Sequence, residues 1–259
     1  MIFQNLLFRS VLVGLLAGAL AGVFGVGGGF IMVPLFVLWI HLDQKQAQAT
    51  SLFAVIFIAV FALLTYAHAG KVLWSYAGLI FTGAVAGTFL GVRIFRTISL
   101  KSLSNIFSAL LLLVAFRLLW SSDPHQLVSE QYKLIALLLI GIASGTMAGL
   151  LGLGGGIVIV PALIIVTGVT SDNARGTSLI IIIATAILGT WLHRQTDHVQ
   201  WNVGLTAGIA GIPTAIIGSK FGAASSNPII MAVFAILLIL VALQLFLRNH
   251  GVSDVSSVS

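Results

Sequence analysis

The sequence predicts an all-α, polytopic integral membrane protein built from two homologous repeats of about four to five helical segments each. Three observations carry this. Of the 259 residues, 59% are hydrophobic and only 7% are charged. Apolar runs long enough to cross a bilayer fill nearly the whole chain, separated by short polar breaks. The two halves also align with one another at a single constant offset.

The composition comes first. A soluble domain carries about a quarter charged residues, and mean hydropathy here is +1.16. Such a chain cannot cover a water-facing surface, so a soluble or disordered protein is excluded and the lipid bilayer is its solvent. The net charge of +6 would suit nucleic acid. The twelve Lys and Arg are scattered singly, however, so no nucleic-acid partner is expected. The chain has no Cys, which removes disulfides, thiolate metal sites and thiol nucleophiles. The apolar runs are continuous rather than alternating, which argues against a transmembrane barrel.

The elements follow in order. Spans are read at about 49–67, 72–92 and 103–120, and again at 174–192, 199–219 and 228–247. Two further runs, Val11 to Ile40 and Leu134 to Thr167, are too long for one ordinary span at about 1.5 Å per residue. Each contains a glycine cluster and a proline, and each is expected to be broken. Polar breaks fall at His41–Gln48, His68–Lys71, Arg93–Lys101, Ser121–Lys133, Ser171–Arg175, His193–His198 and Lys220–Asn227. This divides the chain into repeat 1 (1–120), a polar linker (121–133), repeat 2 (134–248) and a flexible tail (249–259).

The repeat is legible residue by residue. An offset of 127 places Gly22, Gly25, Gly27, Gly28, Gly29, Val33 and Pro34 on Gly149, Gly152, Gly154, Gly155, Gly156, Val160 and Pro161. It also places Gln48, Thr50 and Ser51 on Arg175, Thr177 and Ser178, and Trp74 on Trp201. Duplicated membrane units are common in secondary transporters, where the site lies at the repeat interface near the midplane. If each long run crosses once, the repeats are parallel. If each is a hairpin, they are inverted. In the inverted case Arg9, Lys45, Arg93, Arg96, Lys101, Arg194 and Arg248 share one side, against Lys71, Arg117, Lys133, Arg175 and Lys220. That excess favours inversion with both termini cytoplasmic.

The glycine clusters suggest a site. Glycine is a poor helix former, and proline fits a first helical turn. The expected local structure is a helix ending near Gly25, an unwound stretch and a short helix starting near Pro34, repeated around Gly152 and Pro161. Non-helical backbone at membrane depth survives only where protein or a water-filled cavity satisfies it. Free N–H groups at the start of a half-helix favour an anion. Spaced glycines at Gly14, Gly18 and Gly22, at Gly83, Gly87 and Gly91, and at Gly141, Gly145 and Gly149 read instead as packing stripes. They also leave room for a homodimer. A dinucleotide motif is not supported, since Gly25-x-Gly27-x-x-Phe30 lacks its third glycine.

A second candidate follows each hairpin. Thr50 and Ser51, and Thr177 and Ser178, can hydrogen-bond a substrate oxygen, or cap and back-bond their own helices. Gln48 and Arg175 precede them. Arg175 either grips an oxyanion or snorkels at the interface. No Asp or Glu falls within an expected span, so a cation site in the core is not supported. His68 and His193 border spans, and Trp74, Trp191 and Trp201 read as interfacial anchors.

The duplicated Gly-x-Gly-Gly-Gly-x3-Val-Pro motif, each copy followed by a Thr-Ser-Leu segment, resembles the sulfite exporter TauE/SafE family over about residues 10–247. The resemblance implies a bacterial inner-membrane permease for sulfite, sulfonates or related organic anions. It implies Gly25, Gly27, Gly28, Gly29, Pro34, Thr50 and Ser51 as motif positions. Their repeat-2 counterparts are Gly152, Gly154, Gly155, Gly156, Pro161, Thr177 and Ser178. Gln48 stands where repeat 2 has Arg175, so the clamp is not symmetric.

The expectation is therefore a secondary permease or exporter of small anions, working by alternating access around the repeat interface. It is not expected to be an enzyme, and no cofactor or metal is called for. The alternative is a non-transporting membrane assembly or insertion protein that uses its glycines for helix packing alone.

Overall fold

The computed structural model describes residues 2–95, 105, 108–109, 112–113, 115–116, 128–193, 199–225 and 228–251. Among these residues the protein is all-helical, with no strand. The first half contains α1 (Ile2–Phe24), α2 (Gly29–Leu38), α3 (Gln44–His68) and α4 (Trp74–Phe95). The second contains α5 (Lys133–Leu151), α6 (Gly156–Thr167), α7 (Ser171–His193), α8 (Trp201–Ala224) and α9 (Pro228–Gly251). The span read at 103–120 lies largely outside the described residues, as do the linker at 121–127 and most of the tail. Among the described residues, six helices are long and apolar enough to cross a membrane.

Several helices begin or end inside segments read as polar breaks. Asp43 explains one case. Its side chain accepts a hydrogen bond from the Gln46 amide at 2.8 Å, and the Gln46 side chain accepts from the Asp43 amide at 3.3 Å. This reciprocal cap starts α3 at Gln44, within the polar stretch. Likewise Ser171–Arg175 is the first turn of α7 and not a loop. Lys220 lies on α8, and α9 continues to Gly251.

Both long apolar runs are broken at their glycines. The short helices start at Gly29 and Gly156, five residues before the expected prolines. The cause is local. Gly28 and Gly155 adopt left-handed conformations, with φ of 73° and 75°. That turn lets the Gly28 carbonyl accept from the amides of Ile31 and Met32, and the Gly155 carbonyl from those of Val158 and Ile159. Pro34 and Pro161 therefore sit inside α2 and α6, where each leaves one carbonyl a turn earlier without its helical donor.

The first run folds back on itself. The Arg9 side chain near the start of α1 donates to the Trp39 carbonyl at the end of α2, at 2.7 Å. Helix α2 spans only about 15 Å at helical rise, so it returns partway along α1 as a half-length arm. The run is a hairpin.

The glycine stripes pack within the chain. Gly14, Gly18 and Gly22 of α1 lie against the backbone of Ala207, Gly211 and Ala215 on α8. In the same way Gly141, Gly145 and Gly149 of α5 lie against Ile80, Ala84 and Thr88 on α4. Each repeat's first helix thus packs on the other repeat's fourth helix. At the centre α3 and α7 run antiparallel. Gly176 at the start of α7 abuts Tyr66 near the end of α3 and Lys71 just beyond it, while Gly189 near the end of α7 abuts Leu52 near the start of α3. The arrangement is consistent with two inverted repeats.

Candidate functional site at the paired helix breaks

The two breaks meet. A Cβ on Gly29 would lie 3.2 Å from the backbone of Leu153, and one on Gly156 would lie 2.8 Å from that of Val26. Gly27 and Gly154 both face Ile182 and Val55, the counterpart residues of α7 and α3. Gly25 through Gly29 and Gly152 through Gly156 are all buried. The N-termini of α2 and α6 therefore approach each other in the interior. Each carries a partial positive charge of about half an electron. The amides of Val26, Gly27 and Gly28, and of Leu153, Gly154 and Gly155, reach no acceptor among the described residues. Buried donors of this kind are rare without a partner.

The hairpin tips rest on the residues that precede the hydroxyl pairs. A Cβ on Gly25 would lie 2.5 Å from Cβ of Arg175, and one on Gly152 would lie 2.7 Å from Cβ of Gln48. Gly25 and Gly152 have φ of 65° and 69°. A side chain there would meet both backbone strain and a clash.

The hydroxyls divide by residue type. Ser51 donates to the Gly152 carbonyl at 2.8 Å and to its own helix at Gln48. Ser178 donates to the carbonyls of Gly25 and Arg175. These serine protons join one repeat to the other. Thr50 accepts from the Gln200 amide and Thr177 from the Leu73 amide, each at 3.0 Å. The threonine oxygens thus satisfy amides at the starts of α8 and α4. Their own protons reach no acceptor among the described residues.

Arg175 does not snorkel. It is 0% exposed. Its terminal nitrogens donate to the carbonyls of Gly222 and Ser225 at the end of α8, at 3.0 and 3.4 Å, and to Ser171 Oγ at 3.1 Å. The negative end of α8 favours this cation. Its Nε has no partner, and among the described residues no carboxylate pairs with it. Gln48 is 3% exposed, and its side chain forms no hydrogen bond among the described residues. Pro34 and Pro161 lie along the half-helices, away from the tips.

Sequence reasoning missed three participants. Tyr66 is fully buried, and its hydroxyl donates to the Gly22 carbonyl at 3.0 Å. Thr185 donates to the Gly154 carbonyl at 3.0 Å, while the matching repeat-1 position is Ile58. Asp172, read as a loop residue, is 2% exposed and pairs with Lys71 at 2.7 Å. A break in hydropathy marked Asp172 as polar, but it could not show that the residue turns inward. The tyrosine carried no signal, because a buried and an interfacial tyrosine look alike in sequence.

The chain is similar to known proteins over nearly its full length. A family model described as "Sulfite exporter TauE/SafE" matches residues 10–245. The probable membrane transporter protein YunE of Bacillus subtilis is 26% identical, covering 91% of this chain and 95% of that protein. A probable membrane transporter protein of Xylella fastidiosa (strain 9a5c) is 28% identical, covering 91% and 93%. One from Methanocaldococcus jannaschii is 29% identical, covering 83% and 82%. With its paired glycine breaks and, among the described residues, six spanning-length helices, the chain belongs to the TauE/SafE family and is a multi-pass membrane transporter.

Proposed function

We propose that the protein is a secondary permease of small anions, such as sulfite, sulfonates or related organic anions, and that the anion is held where the two helix breaks meet. The carrying observation is the head-to-head approach of the α2 and α6 N-termini with buried, unpaired amides on both. Two like partial charges in a low-dielectric interior repel, and an anion between them turns repulsion into attraction. Arg175 adds a full buried charge without a carboxylate partner. The free protons of Thr50 and Thr177 supply further donors. The half-helices are the moving parts of an alternating-access cycle, and the sequence has no motif for ATP, so any coupling in this chain would be to an ion gradient. The reading places the protein in the cell inner membrane, as a permease without a catalytic step of its own. A homodimer would use a face other than the α1, α4 and α5 glycine stripes, which are filled within the chain.

Thermal stability of the purified protein across a ligand panel tests this. A bound anion stabilises by about 2.7 kcal/mol at one hundred times its Kd. Saturable stabilisation by sulfite, sulfoacetate or a related anion, and none by matched cations, is expected. No stabilisation by any anion in the panel would sink the reading.

A further inference from the structure

A groove of about 620 Å³ lies between the C-terminal halves of α3 and α8. Its floor is apolar, formed by Phe61, Leu64 and Ile216, with Phe61 and Leu64 37% and 50% exposed. Its rim carries His68, Lys71 and Lys220. The only acid beside it among the described residues is Asp172, which is buried and already paired with Lys71. His68 and Lys220 are exposed, and neither has an ion-pair or hydrogen-bond partner among the described residues.

This pattern has a directional logic. His68 ends α3, Lys71 follows it, and Lys220 lies in the last turns of α8. The exposed Trp74 begins α4 at the same end. Tryptophan at a span's edge marks the headgroup level. Below that level the groove is hydrocarbon-like, and at that level it is cationic. A small soluble anion would use the rim and leave the floor empty. A diacyl lipid with an anionic headgroup fills both, and basic pockets between membrane helices suit such headgroups.

We infer that the α3–α8 groove is a binding site for an anionic phospholipid, with the headgroup phosphate between His68, Lys71 and Lys220 and an acyl chain along Phe61, Leu64 and Ile216. Lys71 joins the groove to α7 through Asp172, less than one turn from Arg175, so the lipid bears on the helix that holds the hairpin tip.

The test is lipid binding to the full chain in neutral detergent, titrated with phosphatidylglycerol or phosphatidylcholine and read by native mass spectrometry. Phosphatidylglycerol is expected to bind preferentially. The Lys220→Gln variant should bind it about fivefold more weakly, the effect of one basic residue at a membrane surface. His68→Gln combined with Lys220→Gln should weaken it further, and Lys220→Arg should restore it. Equal binding of the two lipids, or unchanged binding by the double variant, overturns the inference. So does displacement of phosphatidylglycerol by millimolar inorganic phosphate, which would identify a soluble-anion site. Because the assay contains no transported anion, its outcome is independent of the proposed permease activity.

Discussion

Ser51 on α3 donates its hydroxyl proton to the carbonyl of Gly152, the tip of the opposite repeat's hairpin, and Ser178 returns the same bond to Gly25. The exchange is reciprocal under the 127-residue offset. Each hairpin is therefore held by the other repeat's first long helix after its own hairpin. The hydroxyl pairs work as fasteners in this state, with the serines joining tips and the threonines satisfying the amides ahead of α4 and α8.

Ser51→Ala should then act chiefly on stability. A buried hydrogen bond contributes about 0.5–1.5 kcal/mol, and bonds between membrane helices average about 0.6 kcal/mol. Thermal denaturation in detergent should show a loss in that range for Ser51→Ala and for Ser178→Ala, with anion affinity changed less than threefold. A large affinity loss with unchanged stability would reassign the serines to the substrate.

Alanine at the tips should abolish folding outright. At Gly25 and Gly152 it meets a positive φ and backbone or Cβ atoms of Arg175 and Gln48. Gly28 and Gly155 are similarly closed, with carbonyls of Ala17 and Ser144 at 2.7 and 2.6 Å from a new Cβ. Gly78 on α4 is the control, since nothing lies within 4 Å of its Cβ position. Gly78→Ala should gain up to about 1 kcal/mol from helix propensity. Size-exclusion profiles should therefore separate Gly78→Ala, monodisperse, from Gly25→Ala, aggregated or absent. It follows that alanine at Gly28 or Gly155 cannot tell a binding role from a packing one.

Arg175 can make that distinction. Arg175→Gln copies the residue at the matched position, Gln48, and keeps donors for the end of α8. It removes the charge. Hydrogen bonds to charged groups contribute about 1.5–3 kcal/mol, so anion affinity should fall about tenfold to a hundredfold while the protein remains folded. Titration of the anion against the purified variant measures this directly.

Lys71 and Asp172 should respond unequally. Asp172 is 3% exposed at its side chain and Lys71 37%. Lys71→Met strands a buried carboxylate, whereas Asp172→Asn frees a lysine that can reach water. Removing one partner of a buried pair is strongly destabilising, and the partial exposure here reduces the effect. A loss of about 1–3 kcal/mol is expected for Lys71→Met and less for Asp172→Asn, read by chemical denaturation. The double variant should lose less than the sum.

Much of this was legible in the chain. Hydropathy gave the long helices, because in a bilayer apolar length is the dominant constraint. The offset between Gly25 and Gly152 located both hairpin tips. Hydropathy makes the spans too short, because Asp43 and Ser171 start helices inside polar text. Proline marks the half-helix starts five residues too late, because left-handed Gly28 and Gly155 already provide them. The partners of Ser51 and Ser178 were invisible, since a hydroxyl's acceptor a hundred residues away leaves no local trace. Arg175's burial was equally hidden, as hydropathy cannot separate an interfacial arginine from an enclosed one.

Anion flux in proteoliposomes bears most directly on the central claim. Wild-type protein should accelerate sulfite or sulfonate movement saturably above protein-free vesicles, and Arg175→Gln, reconstituted at equal density, should lose most of that increment. Wild-type vesicles indistinguishable from empty ones across the anion panel would contradict the account.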